Sequence, residues 1–355
     1  MRERALQFLA CPRCRGALTV AEAQRAGDEI VQGRLACEKG CGWYPVDRGV
    51  PRLLPELCRS SEDDETLLES QERQEHAQRG FGLEWRLYRY GDTTWGVTVD
   101  ERIVVALHEL GWSKDDLPGK AILDAGCGNG TLSAALVERG AEVVGVDLSD
   151  SVFRAHEHCG GPRMHFVQGN LFFPPLRDEA FDAIYSCGVF HHTPDTRRCF
   201  DALVPTLKHD ARSRFFVWLY AKRSPLFNVT VEPLMKLTRR LPGWVLAPVC
   251  VTAAPAVEGV SRVLGAVGLL KDVPRSITDR AVILHDLLSP QYVRYHTTEQ
   301  CRSWAKQAGL TRIEQTLYRT GGNGDDRRKE ILEKYWRVCR PGFGILARYP
   351  QEVGT

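Results

Sequence analysis

Two groups of residues in this chain have the types and spacing that chemistry needs. The first is a pair of cysteine pairs, Cys11-Pro-Arg-Cys14 and Cys37-Glu-Lys-Gly-Cys41. Two short knuckles, each offering two thiolates, can converge on one tetrahedral metal ion, and Gly16, Gly40 and Gly42 supply the tight turns a knuckle requires. Four thiolate ligands leave no open coordination position, so a zinc ion held by Cys11, Cys14, Cys37 and Cys41 would be structural rather than catalytic. Two disulfides or four free thiols are the competing readings. The second group begins Asp124-Ala-Gly126-Cys-Gly128-Asn-Gly130-Thr, where an apolar run ends in a carboxylate and a glycine-rich turn. Glycines let the backbone bend sharply and let a ligand lie directly against it. The spacing is G-x-G-x-G, and Thr131 stands where a dinucleotide fingerprint needs its third glycine.

The same kind of signal recurs downstream. Asp147 ends the next apolar run, 21 positions after Gly126, where a carboxylate can accept hydrogen bonds from both ribose hydroxyls. Asn170 follows a third run and can meet an adenine edge. The fourth run leads to Ser186 and then to His191 and His192.

These residues need a scaffold that brings run ends together. The pattern reads as strands at 121–125, 142–146, 164–168, 181–186 and 214–220, with helices at 131–139, 151–158 and 199–207 between them. Strand–helix repeats of this kind imply an α/β fold with a doubly wound, mostly parallel sheet. A helix at 298–308, capped by Thr297 or Thr298, and strands at 311–318 and 342–349 around a charged helix at 326–337 close the chain. Residues 222–293 interrupt the alternation and read as a helical insertion after strand five. Residues 1–57 form a small separate module. Residues 58–80 are acidic, a linker or solvated helix. Phe81, Trp85 and Tyr88 sit at i, i+4 and i+7, one helix face that either closes over a ligand as a lid or packs on the sheet.

The ordered set of four run ends, over roughly residues 81–220, resembles the class I methyltransferases that use S-adenosyl-L-methionine. The resemblance implies a seven-stranded sheet and a cofactor set of Asp124, Gly126, Gly128, Gly130, Asp147, Asn170 and Ser186. Asp124 and Gly126 would meet the methionine end, Asp147 the ribose and Asn170 the adenine, where the family more often carries Asp. The stretch 11–55, with Cys-Pro-Arg-Cys, Cys-Gly-Trp-Tyr-Pro-Val and Gly-Val-Pro-Arg-Leu-Leu-Pro, resembles the small zinc-ribbon proteins that bind and activate methyltransferases. Here such a ribbon is fused to its enzyme, and Zn2+ is the implied structural metal.

Methyl transfer from a sulfonium needs alignment above all, and a hydroxyl or ammonium acceptor must also lose its proton to a base. His191 is the preferred base, His192 its neighbour and His285 a second candidate. The bland alternative is that the pair shapes the turn. Asp195 orders that turn or caps the next helix. Trp218 and Tyr220 border the acceptor pocket.

Composition narrows the acceptor. Net charge is only +2, and residues 1–58 hold nine Lys or Arg against seven Asp or Glu, unlike a nucleic-acid-binding surface. The insertion is apolar, which suits a small organic or lipophilic acceptor. A local basic excess (Lys208, Arg212, Arg214, Lys222, Arg223, Lys236, Arg239 and Arg240) would suit a phosphorylated or carboxylated acceptor, an anionic lipid or RNA. A small molecule is therefore preferred over RNA, although bacterial ribosomal-RNA guanine methyltransferases also join a zinc ribbon to this fold. A non-catalytic cofactor-binding scaffold is the third reading. The uncharged run 241–257 carries Pro242, Pro248 and Pro255 and is expected to be too short and broken for a membrane span. Scattered cysteines and the lack of a secretory signal point to a cytoplasmic protein, and the apolar insertion leaves room for a homodimer.

Overall fold

The structure, a computed structural model, describes residues 1–58, 96–239, 241, 243–268, 276–316, 326–338 and 342–351. The acidic stretch 59–79 and the Phe81–Trp85–Tyr88 face lie outside the described residues.

The chain opens with an antiparallel meander: β1 (Leu18–Ala26), β2 (Glu29–Cys37), β3 (Trp43–Asp47) and β4 (Val50–Leu53). Then come α1 (Val99–Leu110), β5 (Ala121–Ala125), α2 (Thr131–Glu138), β6 (Glu142–Asp147), α3 (Ser151–Cys159), β7 (Met164–Gly169), β8 (Ala183–Cys187), α4 (Thr196–Leu203) and β9 (Arg214–Tyr220). The insertion is α5 (Pro225–Thr238), α6 (Gly243–Ala266) and α7 (Ile277–Leu288). α8 (Thr298–Gln307), β10 (Arg312–Thr316), α9 (Asp326–Val338) and β11 (Gly342–Arg348) complete the chain.

Strands β5 to β11 form the expected seven-stranded sheet in the order β7-β6-β5-β8-β9-β11-β10. The first five are parallel and β11 runs antiparallel between β9 and β10. Every residue of β5 and β7 is buried, as a parallel sheet covered on both faces requires, and their polar members Asp124, His165 and Gln168 are buried with hydrogen-bond partners. The strand order reverses between β5 and β8. In open α/β sheets the crevice at such a reversal, outside the carboxyl ends of the strands, is where ligands bind. All four sequence signals end at that edge.

Local chemistry sets the element ends. Thr98 and Glu101 form a reciprocal capping box at the start of α1, and Gly111 closes the helix with a left-handed residue. α4 begins at Thr196, three residues before the expected start, because the Asp195 side chain accepts from the Arg198 amide. It ends at Leu203 because Pro205 follows. Thr297 is the cap of α8, within a second capping box.

The cysteine module does not stand apart from the sheet. β4 pairs in parallel with β7 through Arg52↔Gln168 and Leu53↔Gly169 and so extends the sheet past its edge. Arg4 donates twice to Glu142, which also accepts from Gln7 at 3.3 Å and lies 3.0 Å from His165 Nε2. The Phe8 ring stacks on Phe181. Leu9, Cys11, Leu35 and Tyr44 share one core with Val144, Val146 and Val167.

The insertion after β9 is helical, as expected, and departs from the sequence reading only in its proline-punctuated run. α6 is one helix of 24 residues that continues through Pro248 and Pro255. Each proline removes a backbone donor and orphans the carbonyl four residues earlier. Those carbonyls belong to Trp244 and Val251, both exposed, where a polar surrounding can satisfy them. Trp244–Ala266 is long and apolar enough to cross a membrane by length and composition. A run ended at Val257 stops short because Glu258 breaks the uncharged stretch.

Candidate functional site

The glycine turn after β5 folds back onto the neighbouring strand. Gly126 and Cys127 donate their amides to the Val146 carbonyl, and Gly128 donates to Asp147 Oδ2 at 3.0 Å. Gly126 has φ of 88°, and a Cβ there would meet Val189 Cγ2 at 2.3 Å, so no other residue fits. Beside the turn opens a solvent-facing cleft lined by Arg102, Asp124, Gly126, Asn129, Thr131 and Tyr185, among others.

Asp124 is buried, and Ser133 donates to its Oδ2 at 2.5 Å. Burial lifts its pKa to about 6, against the Ser133 hydrogen bond and the positive charge of Arg102. Asp147 sits at the carboxyl end of β6. Its Oδ1 accepts from the amide and hydroxyl of Ser149, and Oδ2 accepts from Gly128. Three of roughly four acceptor positions are thus occupied by the protein, which fixes the carboxylate and leaves one position for a ligand. Burial holds its pKa above the ordinary carboxylate value despite those bonds. Asn170 turns its Oδ1 inward to the Phe172 amide, so the group with no partner among the described residues is the donor Nδ2, not the oxygen. Ser186 is fully buried and donates to the Ala125 carbonyl across β5 and β8, bracing the switch point from below. Gly130 is the cap of α2, packed against the Phe166 ring.

The expectations missed Arg102. It projects from α1 beside Asp124, and its guanidinium donates to Tyr335 and Tyr185; Tyr185 in turn donates to buried Glu109. This is the cation in the cleft lining nearest in type to what a ligand carboxylate needs. The Thr98-x-x-Glu101 capping signature could have placed α1 and with it this residue.

The histidines gather at the ends of β8 and β9. His191 is fully buried, stacked 4.0 Å from the Tyr220 ring and 4.3 Å from His192, and neither of its ring nitrogens has a partner among the described residues. Burial, then the charges of His192, His296 and Arg223, push its pKa well down. His192 differs. Its Nδ1 lies 3.2 Å from the Tyr292 carbonyl, and its Nε2 is 3.6 Å from Asp286 Oδ1. Tyr220 donates to the other oxygen of Asp286 at 3.0 Å. Burial lowers the His192 pKa and Asp286 works against that shift. Asp286 was not anticipated, since a lone aspartate in a helix carries no sequence signal. His285, its neighbour on α7, is fully buried with Nδ1 against Ser289, apart from the pair at β8. Arg223 lies over the rings of Tyr220, Phe227 and Tyr295 at 5.2, 4.8 and 5.6 Å, so cation and rings form one wall beside the histidines.

The four module cysteines converge: their sulfurs all lie within 4.8 Å of one another. Zinc–sulfur bonds of about 2.3 Å in a tetrahedron set sulfurs roughly 3.8 Å apart, so the set fits a tetrathiolate ion. Tyr44 OH lies 3.3 Å from Cys11 Sγ, an outer contact of the kind that orients a thiolate. Burial opposes the Cys14 thiolate, but hydrogen bonds from Cys41, the Gly16 amide and Cys37 outweigh it and draw its pKa to about 7.

Comparison with known proteins agrees with both halves. Residues 123–215 match the methyltransferase domain family, and residues 2–49 match the Trm112p-like protein family. A demethylmenaquinone methyltransferase of Clavibacter sepedonicus is 30% identical over 182 residues, 48% of this chain and 74% of that enzyme. A ubiquinone biosynthesis O-methyltransferase of Idiomarina loihiensis is 36% identical over 100 residues, 26% of this chain and only 40% of that enzyme's length. Among solved structures, a magnesium protoporphyrin IX methyltransferase from Synechocystis with bound SAH superposes at a TM-score of 0.44 with 16% identity, covering 81% of this chain and 100% of that one.

Proposed function

The chain belongs to the S-adenosylmethionine-dependent methyltransferases, and on that premise we propose that it methylates a small, largely apolar organic acceptor received beneath the α5–α7 insertion. One observation carries the reading. The carboxyl ends of β8 and β9 meet a helical roof, joined through Tyr220, Asp286 and His192, in place of an open basic surface. The wall of Trp218, Tyr220, Phe227 and Tyr295 suits an aromatic or lipophilic body, and Arg223 among those rings suits a phenolate, carboxylate or phosphate on it. Part of the basic excess that favoured RNA is neutralised locally: Lys208 pairs with Asp182 at 2.8 Å and Arg212 with Asp210 at 3.2 Å.

Asp124, the glycine turn, Asp147 and Asn170 would hold the cofactor in the cleft, with Arg102 beside Asp124 to take its carboxylate. The bound sulfonium supplies an already activated methyl group, so the chain's own task is to aim the acceptor and manage its proton. Of the two adjacent histidines, His192 is the better base, a change from the preference for His191. Its Nδ1 faces the Tyr292 carbonyl, which favours the tautomer with the proton on Nδ1, and the Asp286 carboxylate 3.6 Å from Nε2 would stabilise an imidazolium formed there. His191, held neutral by burial, lines the wall.

The four thiolates, we propose, hold one structural Zn2+ that completes the small N-terminal fold.

The acceptor class is tested by incubating purified protein with methyl-labelled S-adenosylmethionine and two fractions of host extract, total RNA and RNA-depleted metabolites with lipids. Label in the metabolite and lipid fraction is expected. Label in RNA alone would overturn the reading and recast the ribbon as a docking element.

A further inference from the structure

The chemistry proposed above makes no use of the insertion's outer surface. α6 is built inside out. Leu246, Cys250, Ala254 and Glu258, four residues apart, form its buried stripe. Its one carboxylate, Glu258, is 2% exposed and bonded to Arg280 of α7 at 2.7 Å and to Arg262 at 2.8 Å. Facing outward are Trp244 (77% exposed), Val249, Val251, Val260 and Val263 (64%). Thr252, also outward, returns its hydroxyl to the Pro248 and Val249 carbonyls of its own helix and so presents no free polar group. α5 adds Val229 (75%), Leu234 and Leu237. Soluble proteins rarely leave so many large apolar side chains uncovered on two neighbouring segments.

Two features decide what covers it. The helix is long enough to span a bilayer, but the Glu258–Arg280 pair ties one of its stripes to α7, so it cannot leave the protein to do so. A helix with one apolar face committed outward and the other bound to protein lies in an interface plane. The second feature is charge. Residues 222–267 hold six Lys or Arg against two Glu, and of those two Glu258 is buried while Glu232 is paired with Lys236. Lys222, Lys236 and Arg262 lie on the exposed surface of this segment, Lys236 and Arg262 each already paired with a glutamate of the same helix, so the segment offers its net excess of four positive charges (six minus two). A second copy packed across a two-fold axis would set this basic rim against itself, whereas an anionic lipid surface complements it. We infer that α5 and α6 dock flat on an anionic bilayer, with Trp244, Val249, Val260 and Val263 seated at the headgroup–acyl boundary. α7, the next layer inward from α6, carries Asp286 to the histidine pair, and α5 itself carries Phe227 to the acceptor wall, so the docked helices border that wall. The docking stands on the surface alone and does not depend on which acceptor is used.

Flotation of the full chain with vesicles tests it. Vesicles of phosphatidylcholine mixed with phosphatidylglycerol should bind on the order of tenfold more strongly than phosphatidylcholine alone, an advantage that high salt removes. The triple variant Val249→Ser, Val260→Ser, Val263→Ser should lose at least roughly tenfold in vesicle binding, since each valine withdraws apolar area from the lipid. It should still bind S-adenosylmethionine and keep its Tm, because all three positions are exposed. The double variant Lys222→Glu, Lys236→Glu should lose only the preference for anionic vesicles. Absence of flotation with either vesicle would overturn the proposal. So would a concentration-dependent dimer, seen by light scattering, that the serine variant breaks apart.

Discussion

Replacing Asp286 with Asn isolates one charge in the acceptor wall. Asn keeps the shape and an oxygen for the Tyr220 hydroxyl, 3.0 Å away, but removes the carboxylate 3.6 Å from His192 Nε2. At that distance two unit charges interact by about 1.2 kcal/mol in a water-like dielectric and about 4.6 kcal/mol at an effective dielectric of 20. The His192 side chain is 4% exposed and that of Asp286 19%, so the true value lies between these limits. At 1.36 kcal/mol per pKa unit this is about one to three units of support for the imidazolium. Burial already holds His192 below its ordinary 6.5, with Asp286 opposing. Without the carboxylate the pKa falls further. The acid limb of kcat/KM therefore moves down by about one to three units, while the plateau near neutrality drops by about tenfold or more because the base is weaker. Stability follows the same sign. A histidine with a depressed folded pKa costs stability as pH falls below its unfolded value of 6.5, and the variant should lose more than the parent in that window. The assay is the pH dependence of methyl transfer to the acceptor once identified, beside thermal melts at the same pH values. An acid limb and plateau both unchanged in the variant would refute His192 as the base and reduce Asp286 to a partner of Tyr220.

Other consequences are equally direct. Asp124 titrates at about 6, so cofactor affinity measured by calorimetry should fall up to roughly tenfold per pH unit below that point; Arg102→Gln removes a charge that favours the carboxylate and should move the break to higher pH. Gly126→Ala places a methyl group 2.3 Å from Val189 Cγ2 at φ of 88° and should abolish measurable cofactor binding, at a cost to stability of about 1–3 kcal/mol by thermal melt. Purified protein should carry one zinc per chain by elemental analysis, and stripping it with a chelator or substituting Cys37→Ser should unfold residues 1–58 to limited proteolysis. Glu142→Gln removes the charge that Arg4 pairs with and weakens the contacts to Gln7 and His165, and should lower stability, with the loss read as a shift of the urea midpoint.

The junction between the small module and the sheet shows how two recognisable pieces become one fold. The edge strand β7 would otherwise present unpaired backbone groups, and β4 covers them. Arg52 extends that contact by donating to Gln168 at 2.7 Å, and Gln168 in turn donates to the Leu148 carbonyl and to Asp150, next to Asp147. Nothing in the spacing of Cys11, Cys14, Cys37 and Cys41 announces this weld, because a metal knuckle is legible from its ligands alone and its docking face is ordinary apolar surface.

By itself the amino-acid sequence determined whatever rests on local steric and periodic rules. The five buried runs had to be strands, the glycine turn had to bend after Asp124, and the cysteine pairs had to form knuckles, since each follows from neighbours within a few positions. The reading of a class I methyltransferase followed from the order of those signals. Tertiary structure alone decided which distant groups meet. It brought Arg102 from α1 to Asp124, turned the Asn170 oxygen to Phe172 instead of the cleft, and carried Asp286 across about a hundred residues to His192. It also let α6 run through two prolines and bury Glu258 against Arg280. Contacts of this kind depend on packing between elements far apart in the chain, where composition and period carry no information about partners.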